Sequence, residues 1–206
     1  MRLSSKRQVK KRPLSEEVRD CAACGVEALE DRYTPILSGD TKSPTLFIKM
    51  VASEEEAAHG RLWSDYCGKR FSTLMQDEFM PISEVCTTVL VRCPFDKVGV
   101  RHVRNCRTFF DRGVLSRDWR YVVCLGRDVM RHVFLRGGAP PSEDAFKGRL
   151  VAAPDNIVLG QVGLLPNPST LMLSGPEDTD EYLQGRYEEM RSCLAALRKL
   201  IGGSYE

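Results

Sequence analysis

The sequence lacks any long hydrophobic stretch. No run approaches the roughly 18 apolar residues that a membrane-spanning helix needs, although 42% of the 206 residues are hydrophobic. The basic N-terminal residues are followed by acidic Ser15–Glu17 and not by an apolar segment, which argues against a secretory signal. Internal repeats and low-complexity blocks are also absent. The composition therefore predicts a soluble, cytoplasmic globular protein of about one domain, with no membrane partner.

Positive charge is unevenly distributed along the sequence. Six of the 30 Lys and Arg residues lie within residues 1–12, so the remaining chain carries 24 basic and 28 acidic side chains, a formal charge of −4. Such a basic segment is either a contact to nucleic-acid phosphates or a disordered, solubilising tail. We therefore divide the chain into a basic arm, residues 1–13, and a single domain, residues 14–206.

Apolar, β-branched segments alternate with amphipathic segments along the domain. The pattern predicts strands at 45–51, 85–91, 121–125 and 157–165, and helices at 14–30, 66–79, 100–115, 128–135 and 180–201. We therefore expect an α/β fold, a three-layer α/β/α sandwich with a central, mostly parallel four-stranded sheet. Ligands in such folds bind beyond the carboxyl ends of the strands. The loops to inspect are 52–65, 92–99, 126–128 and 166–173.

Eight cysteines are many for a chain without a recognisable secretory signal, because disulfides are rare in reducing compartments. Cys21 and Cys24 form a CxxC pair, Cys93 precedes Pro94 at the end of the second strand, and Cys106 lies in the next helix. Four thiolates suit a [4Fe–4S] cluster or a zinc ion. The alternative is that the last two are core residues, as free cysteines often are. Three other cysteines are interpreted as core residues: Cys86, Cys124 and Cys193.

Six short motifs follow one another in an informative order. They are Cys21–Cys24, Arg92–Pro94, Cys106–Phe109, Val122–Arg127, Lys147–Arg149 and Asn167–Ser169. In this order the chain resembles, from about residue 18 to residue 200, the family 4 uracil-DNA glycosylases, the iron–sulfur branch of that superfamily. The resemblance implies a uracil-DNA glycosylase-like fold and a [4Fe–4S] cluster with these metal ligands: Cys21, Cys24, Cys93 and Cys106.

The sequence departs from this family at the positions of its active site. The family's Glu is missing after the first strand, its uracil-binding Asn is replaced by Val89, and its catalytic-loop His is replaced by Asn167. Because valine neither donates nor accepts a hydrogen bond, we expect poor discrimination for plain uracil. Either the pocket is rebuilt for another base, or the domain has lost its enzymatic activity.

The catalytic candidates follow the first and last strands. Glu54, Glu55 and Glu56 are candidates to activate water or to protonate the leaving base. The same glutamates also fit the acidic first turn of a helix capped by Ser53. Asn167 is a candidate hydrogen-bond donor to the leaving base, although an Asn before proline also fits a turn.

The base-binding candidates are Val51, Ser53, His59, Trp63 and Val89. Trp63 replaces a family Phe and offers a stacking face for a flipped base, unless it is a core tryptophan. His59 is a candidate proton carrier or phosphate contact, or an ordinary surface histidine. Asp65 is a weaker pocket candidate, and Trp119 is assigned to packing.

The DNA-binding candidates lie beside the second strand and in the loop after the last one: Arg92, Lys97, Arg101, Ser169, Thr170 and Leu171. The basic residues suit phosphates, although a solvated helix face has the same composition. Ser169 and Thr170 suit phosphate contacts, and Leu171 suits an apolar wedge that unstacks bases.

Together these features predict a monomeric DNA glycosylase that acts on a flipped-out pyrimidine other than plain uracil, in single- or double-stranded DNA. Some members of the superfamily excise glucosylated hydroxymethylcytosine from phage DNA. By analogy, we expect a modified pyrimidine and an anti-phage role in a bacterial or phage-infected cell. Two alternatives remain open. One is a catalytically inactive iron–sulfur module that binds DNA or a protein partner, and the other is a zinc-ribbon-like structural protein.

Overall fold

The computed structural model describes residues 16–17, 21–25, 36–134, 151–152, 159–168 and 181–202. Within these residues the strands are β1 (Ser38–Gly39), β2 (Thr45–Val51), β3 (Cys86–Val91), β4 (Trp119–Leu125), β5 (Val151–Ala152) and β6 (Leu159–Leu165). The helices are α1 (Glu54–His59), α2 (Tyr66–Glu78), α3 (Val100–Gly113), α4 (Arg127–Phe134) and α5 (Glu181–Gly202), with a 3₁₀ turn at Ile82–Glu84. None of the described helices is long and apolar enough to cross a membrane.

The strands form one sheet in the order β1-β3-β2-β4-β6-β5. The four long strands run parallel, and the two-residue edge strands β1 and β5 are antiparallel to their neighbours. Leu46 in β2 pairs with Cys86 of β3 on one side and with Val122 of β4 on the other. The predicted sandwich with four parallel strands is therefore confirmed. The edge strands were not predicted, because two residues are too few to show an alternating pattern.

Alternate residues of the sheet enter two cores on its opposite faces. Leu46 and Ile48 pack with α3 and α4, whereas Phe47 packs with α2 and α5. Strand β3 is buried at all six of its positions. A strand covered on both faces has a continuous apolar sequence instead of an alternating one, which explains why these strands were found from sequence.

The CxxC segment differs from the prediction. A helix was expected over 14–30, but residues 21–25 form a turn in which the Gly25 N–H donates to the Ala22 carbonyl over 3.0 Å. Gly25 adopts a left-handed conformation with φ 74°, which a continuing helix does not allow. The basic arm and the motif at 147–149 lie outside the described residues.

Candidate active site and cysteine cluster

A cavity of about 720 Å³ lies beyond the carboxyl ends of β2 and β3. Its walls come from the end of β2, the segment leading into α2, the segment after β3, α4, and the loop after β6. Six of the predicted residues line it, the weaker candidate Asp65 included: Val51, Ser53, Glu54, Trp63, Asp65 and Asn167. The volume is in the range of small-ligand pockets, which is roughly 300–1,000 Å³. The cavity thus lies at the edge of the sheet where the sequence placed a site.

Glu56 is a structural residue of this wall. Its side chain is fully buried and forms an ion pair with the Lys49 ammonium at 2.7 Å. One carboxylate oxygen accepts the backbone N–H of Ser53 over 2.9 Å, and the other accepts that of Trp63 over 2.6 Å. Because both oxygens are engaged within the protein, Glu56 is not a free base. The catalytic interpretation of this residue is therefore replaced by a positioning role.

The other two glutamates occupy the first turn of α1. The Ser53 hydroxyl accepts the N–H of Glu56 over 3.2 Å, so the helix-cap interpretation is confirmed. Glu54 is exposed and lines the cavity. Glu55 is not among the cavity-lining residues, and its carboxylate lies 3.6 Å from the ammonium of Lys69. Of the three predicted acids, Glu54 alone faces the cavity.

Trp63 is held in a strained backbone conformation with φ 66°. Its ring is tilted against that of Phe71 with centroids 4.9 Å apart, and the Lys49 ammonium lies 5.0 Å from its ring centroid. The side chain is only 8% exposed. Trp63 is thus packed like a core residue and also lines the cavity. Strain of this kind at a cavity wall is common in functional sites.

Gly68 explains how Trp63 fits so closely against α2. A Cβ at this position would lie 2.4 Å from the Trp63 Cα. The Gly68 N–H donates to the carboxylate of Asp65, the N-cap of α2, over 2.7 Å. A glycine is therefore required where the first turn of α2 passes the strained residue.

Sequence reasoning missed four charged or polar residues that line the cavity: Lys49, Asp96, Asp128 and His132. Lys49 interrupts the otherwise apolar run of β2, which was the available signal. Asp128 and His132 lie on α4, just after the loop 126–128 that the strand pattern had marked. Burial lowers the pKa of His132, which favours a neutral imidazole in the cavity wall.

Two predicted base-binding residues lie away from the cavity. Val89 is fully buried in the core shared with α2 and α5, and it is not among the cavity-lining residues. His59 is exposed, and its Nδ1 lies 2.7 Å from the Glu55 carbonyl oxygen at the end of α1. Neither placement suits contact with a base in this cavity, since core packing and helix geometry direct both side chains elsewhere.

Among the predicted DNA-binding residues, Arg92 is buried. It is 3% exposed, and its guanidinium donates to the Ile36 carbonyl over 3.2 Å and to the Thr88 hydroxyl over 3.1 Å. These bonds give it a structural role instead of the predicted phosphate contact. Lys97 and Arg101 are exposed beside the cavity-lining residues 98–100. Ser169, Thr170 and Leu171 lie outside the described residues.

The CxxC turn is docked onto α3 by one side chain. The Asn105 amide donates to the Ala23 carbonyl over 2.8 Å and lies 3.4 Å from the Cys24 sulfur. Cys106 is one position further along the same helix. The contact therefore brings the N-terminal cysteine pair to the helix that carries a third cysteine.

All four cysteines interact electrostatically. Burial, with smaller contributions from the nearby thiols of Cys106, Cys24 and Cys21, raises the pKa of the Cys93 thiol to about 11. Burial likewise raises the pKa of Cys106, with smaller contributions in the same direction from the CxxC pair. Within the described residues, no group of three or more His, Cys, Asp or Glu side chains is arranged to hold a single metal ion. The thiols of the CxxC pair, Cys93 and Cys106 are therefore near one another beside the middle of α3, but as they stand they do not form a site for a single metal ion.

The remaining cysteines that were assigned to the core divide into two cases. Cys86 and Cys124 are fully buried in the sheet, and burial raises the pKa of Cys86 to about 12. Cys193 on α5 is partly buried. The core assignment is confirmed for the first two.

A second cavity of about 520 Å³ adjoins the first at the carboxyl ends of β4 and β6. Three residues line both cavities: Met50, Asp128 and Asn167. The second one is also lined by charged side chains, which are Arg127, Arg131, Arg186 and Glu189. The two cavities together offer the aromatic ring of Trp63 and charged side chains on both sides of their shared wall.

Comparison with known proteins assigns a family. No curated protein gives a significant match to the chain. The family model described as the Uracil DNA glycosylase superfamily matches residues 38–191, well over half of the chain. The match spans the sheet from β1 to β6, the first cavity, and the cysteines Cys93 and Cys106. The chain therefore belongs to the uracil DNA glycosylase superfamily.

Proposed function

We propose that this protein is a DNA glycosylase that hydrolyses the N-glycosidic bond of a flipped-out, modified pyrimidine. The observation that carries the proposal is the first cavity, in a domain of this superfamily, with an aromatic ring and a carboxylate on its wall. A base outside the duplex has lost its stacking partners, and Trp63 offers a replacement surface. The reaction then needs groups that stabilise charge and supply water.

Glu54 and Asn167 are the proposed catalytic residues. Cleavage develops positive charge on the sugar and negative charge on the leaving base. The Glu54 carboxylate suits the positive sugar and the water that adds to its C1′, and the Asn167 amide suits a donor to the departing base. The base leaves with the electron pair of the broken bond and takes up a proton, and the sugar keeps the hydroxyl of the water.

The polar second cavity supports a substituted base. No amide side chain stands at the Val89 position to read a uracil edge, and Val89 itself packs in the core. The shared wall at Met50, Asp128 and Asn167 connects the base cavity to a charged space that a hydrophilic substituent would fit. Glucosylated hydroxymethylcytosine of phage DNA is a base of this kind. Its excision would leave abasic sites in phage DNA and so defend a bacterial cell. We propose that the enzyme acts as a monomer in the cytoplasm.

DNA is the proposed partner, either single- or double-stranded. Lys97 and Arg101 are exposed beside the cavity-lining residues 98–100, and basic side chains in such a place suit the phosphates on either side of a flipped nucleotide. Ser169, Thr170 and Leu171 remain proposed contacts, since the same loop carries Asn167.

The activity test compares four DNA substrates: glucosylated, hydroxymethylated, uracil-containing and unmodified. We expect abasic sites, detected by alkaline cleavage, in at least one of the two DNAs with modified cytosine and none in unmodified DNA. Glu54→Gln should abolish the product, and Glu55→Gln, which changes the neighbouring carboxylate outside the cavity, should retain it. Absence of abasic sites from all four would contradict the proposal.

An inactive module is the second candidate, because the family's catalytic Glu and His are both replaced. In that case the protein would bind modified DNA without cleaving it. Retained affinity with no abasic product, in a preparation that is fully folded, would favour this alternative.

We further propose that Cys21, Cys24, Cys93 and Cys106 hold a [4Fe–4S] cluster, as in the family 4 enzymes. The support is that thiols from the N-terminal turn, the segment after β3 and the middle of α3 lie near enough to influence one another electrostatically, and that thiolates are the ligands such clusters use. The cluster would join the N-terminal turn to the segment after β3.

The cofactor test measures iron, sulfide and absorbance near 400 nm after anaerobic purification. We expect a brown protein, loss of iron in Cys93→Ser, and retention of iron in Cys193→Ser, a matched change at a cysteine outside the group. A colourless protein with zinc would instead indicate the zinc-ribbon alternative.

A further inference from the structure

The indole N–H of Trp63 is buried and has no hydrogen-bond partner among the residues that the structure describes. The chain contains two tryptophans, and the other is satisfied, since the Trp119 N–H donates to the Val114 carbonyl over 2.8 Å. Indole is a donor only, so the Trp63 N–H needs an acceptor that the described residues do not supply. An unpaired donor in a buried side chain is costly and requires an explanation.

Several contacts hold Trp63 in its position. Glu56 accepts its backbone N–H, and Phe71 and the Lys49 ammonium lie against its ring. Gly68 of α2 approaches its Cα closely. Trp63 is also one of the residues that line the first cavity.

We propose that the Trp63 indole N–H donates a hydrogen bond to a carbonyl oxygen of the pyrimidine that occupies the cavity, and so selects for bases that carry this acceptor. The proposal rests on the function proposed above and adds a specificity determinant to it. A site built around a buried donor rejects analogues that lack the acceptor, because the donor is then left unpaired.

A carbonyl oxygen is the matching partner because indole N–H is a donor only. The Lys49 ammonium beside the same ring is paired with the buried Glu56 carboxylate, so the indole lies next to an internal ion pair. The oxygen of a leaving pyrimidine gains negative charge as the glycosidic bond breaks, so the hydrogen bond strengthens in the transition state. Trp63 would then act on both binding and rate, beyond the stacking that any aromatic ring supplies.

Binding is tested by NMR on ¹⁵N-labelled protein. Trp63→Phe and Trp119→Phe assign the two indole N–H signals. The probe is a single-stranded oligonucleotide with one 5-hydroxymethylcytosine, and an abasic oligonucleotide is the control. We expect the Trp63 signal to move downfield with the first probe only, while the Trp119 signal stays in place.

Two results would overturn the proposal. One is a Trp63 signal that stays in place while the amides of Ser53 and Glu54 report occupancy of the cavity. The other is a protein in which no cavity signal responds to the probe at all. Cleavage is not required for either readout, so a protein that binds but does not excise would disprove the proposed activity and leave this inference standing.

A kinetic cycle tests selection. Trp63→Phe keeps an aromatic face and removes the N–H, and we expect kcat/KM on the cleaved DNA to fall roughly 10-fold. Replacing the 2-carbonyl of the base with a thiocarbonyl, a weaker acceptor, should lower kcat/KM of the native enzyme. It should also reduce the ratio between kcat/KM of the native enzyme and that of the variant. Equal effects of the variant on both substrates, together with unchanged NMR signals, would assign Trp63 to stacking alone.

Discussion

At the scale of single residues, one buried carboxylate organises the cavity wall. Glu56 links the end of β2, the cap of α1 and the strained Trp63 through one ion pair and two backbone hydrogen bonds. Breaking a buried pair leaves a charge without its partner, which costs more than the pair itself contributes. The stability of this wall is therefore concentrated in one side chain.

Glu56→Ala should lower the free energy of unfolding by about 2–4 kcal/mol, because the Lys49 ammonium and two N–H groups lose their acceptor. Urea unfolding followed by circular dichroism measures it. Glu55→Ala is the matched control, since its exposed pair with Lys69 is worth at most about 1 kcal/mol. Equal losses in the two variants would show that the buried network is unimportant.

His132 gives the folded protein a pH dependence of known sign. Its pKa is lowered by burial, with Asp128 opposing the effect and Arg107 adding to it. The folded state therefore favours the neutral imidazole. The stability that depends on the neutral His132 imidazole is fully present above about pH 6.5, the ordinary pKa of histidine. It is lost as the pH falls through the lower pKa that His132 has in the folded state.

His132→Gln should accordingly flatten the loss of stability on acidification below about pH 6.5. Urea midpoints measured from pH 8 to pH 5 test this, with His59→Gln as the exposed control. A native-like slope in His132→Gln would contradict the assignment.

The acidic run at the start of α1 is evident in the sequence, but which of its glutamates is buried and which lines the cavity is not. Ser53 and the following glutamates carry a clear helix-cap pattern, and the cap is present. Which glutamate is buried depends on the rotation of α1 against Lys49 and Trp63, two residues that no local pattern connects. Val89 and Arg92 were misplaced for a similar reason, since the packing of β3 between two helical layers decides where they point.

At the scale of elements, two helical glycines differ in the space that surrounds them. Gly68 in α2 is buried, and a Cβ there would lie 2.4 Å from the Trp63 Cα and 2.7 Å from its carbonyl carbon. Gly185 in α5 is exposed, and a Cβ there would meet nothing within 4 Å. The same substitution therefore tests packing in one helix and propensity in the other.

Gly68→Ala should destabilise the protein by about 1–3 kcal/mol, because backbone atoms must move to admit the methyl group. Gly185→Ala should stabilise it by about 0.5–1 kcal/mol through helix propensity. Urea unfolding of both variants measures the two changes in the free energy of unfolding. Stabilisation by Gly68→Ala would show that the close approach to Trp63 is relaxed in solution.

Elements were predictable where a strand is buried on both faces or a helix has one apolar face. The four parallel strands and the helices that start near residues 66, 100, 127 and 181 follow from such patterns. The CxxC segment was predicted as a helix because its neighbours favour one, whereas Gly25 and the contact from Asn105 fix it as a turn. That contact joins residues 82 positions apart, which no local propensity reports.

At the scale of the whole molecule, the proposed cluster would cross-link the N-terminal turn to the sheet and α3. Cys21 and Cys24 precede the residues 38–191 that match the superfamily, and Cys93 and Cys106 lie inside them. A cluster that the native state binds and the unfolded chain does not adds its binding free energy to the stability of the fold. Its loss should therefore affect the N-terminal segment and the melting temperature together.

Removing iron with a chelator under oxidising conditions should lower Tm by about 5–10 °C, the range expected from a cross-link of this kind in a chain of this size. It should also speed tryptic cleavage after Arg19 and Arg32, which flank the cysteine pair in sequence.

Scanning calorimetry measures the change in Tm, and timed digestion measures the change in cleavage. The control is Cys93→Ser treated with the same chelator, since we expect this variant to lack iron before treatment. The variant should show neither change on treatment. An iron-loaded native protein whose Tm and cleavage pattern survive chelation would show that the four cysteines do not tie the turn to the domain through metal.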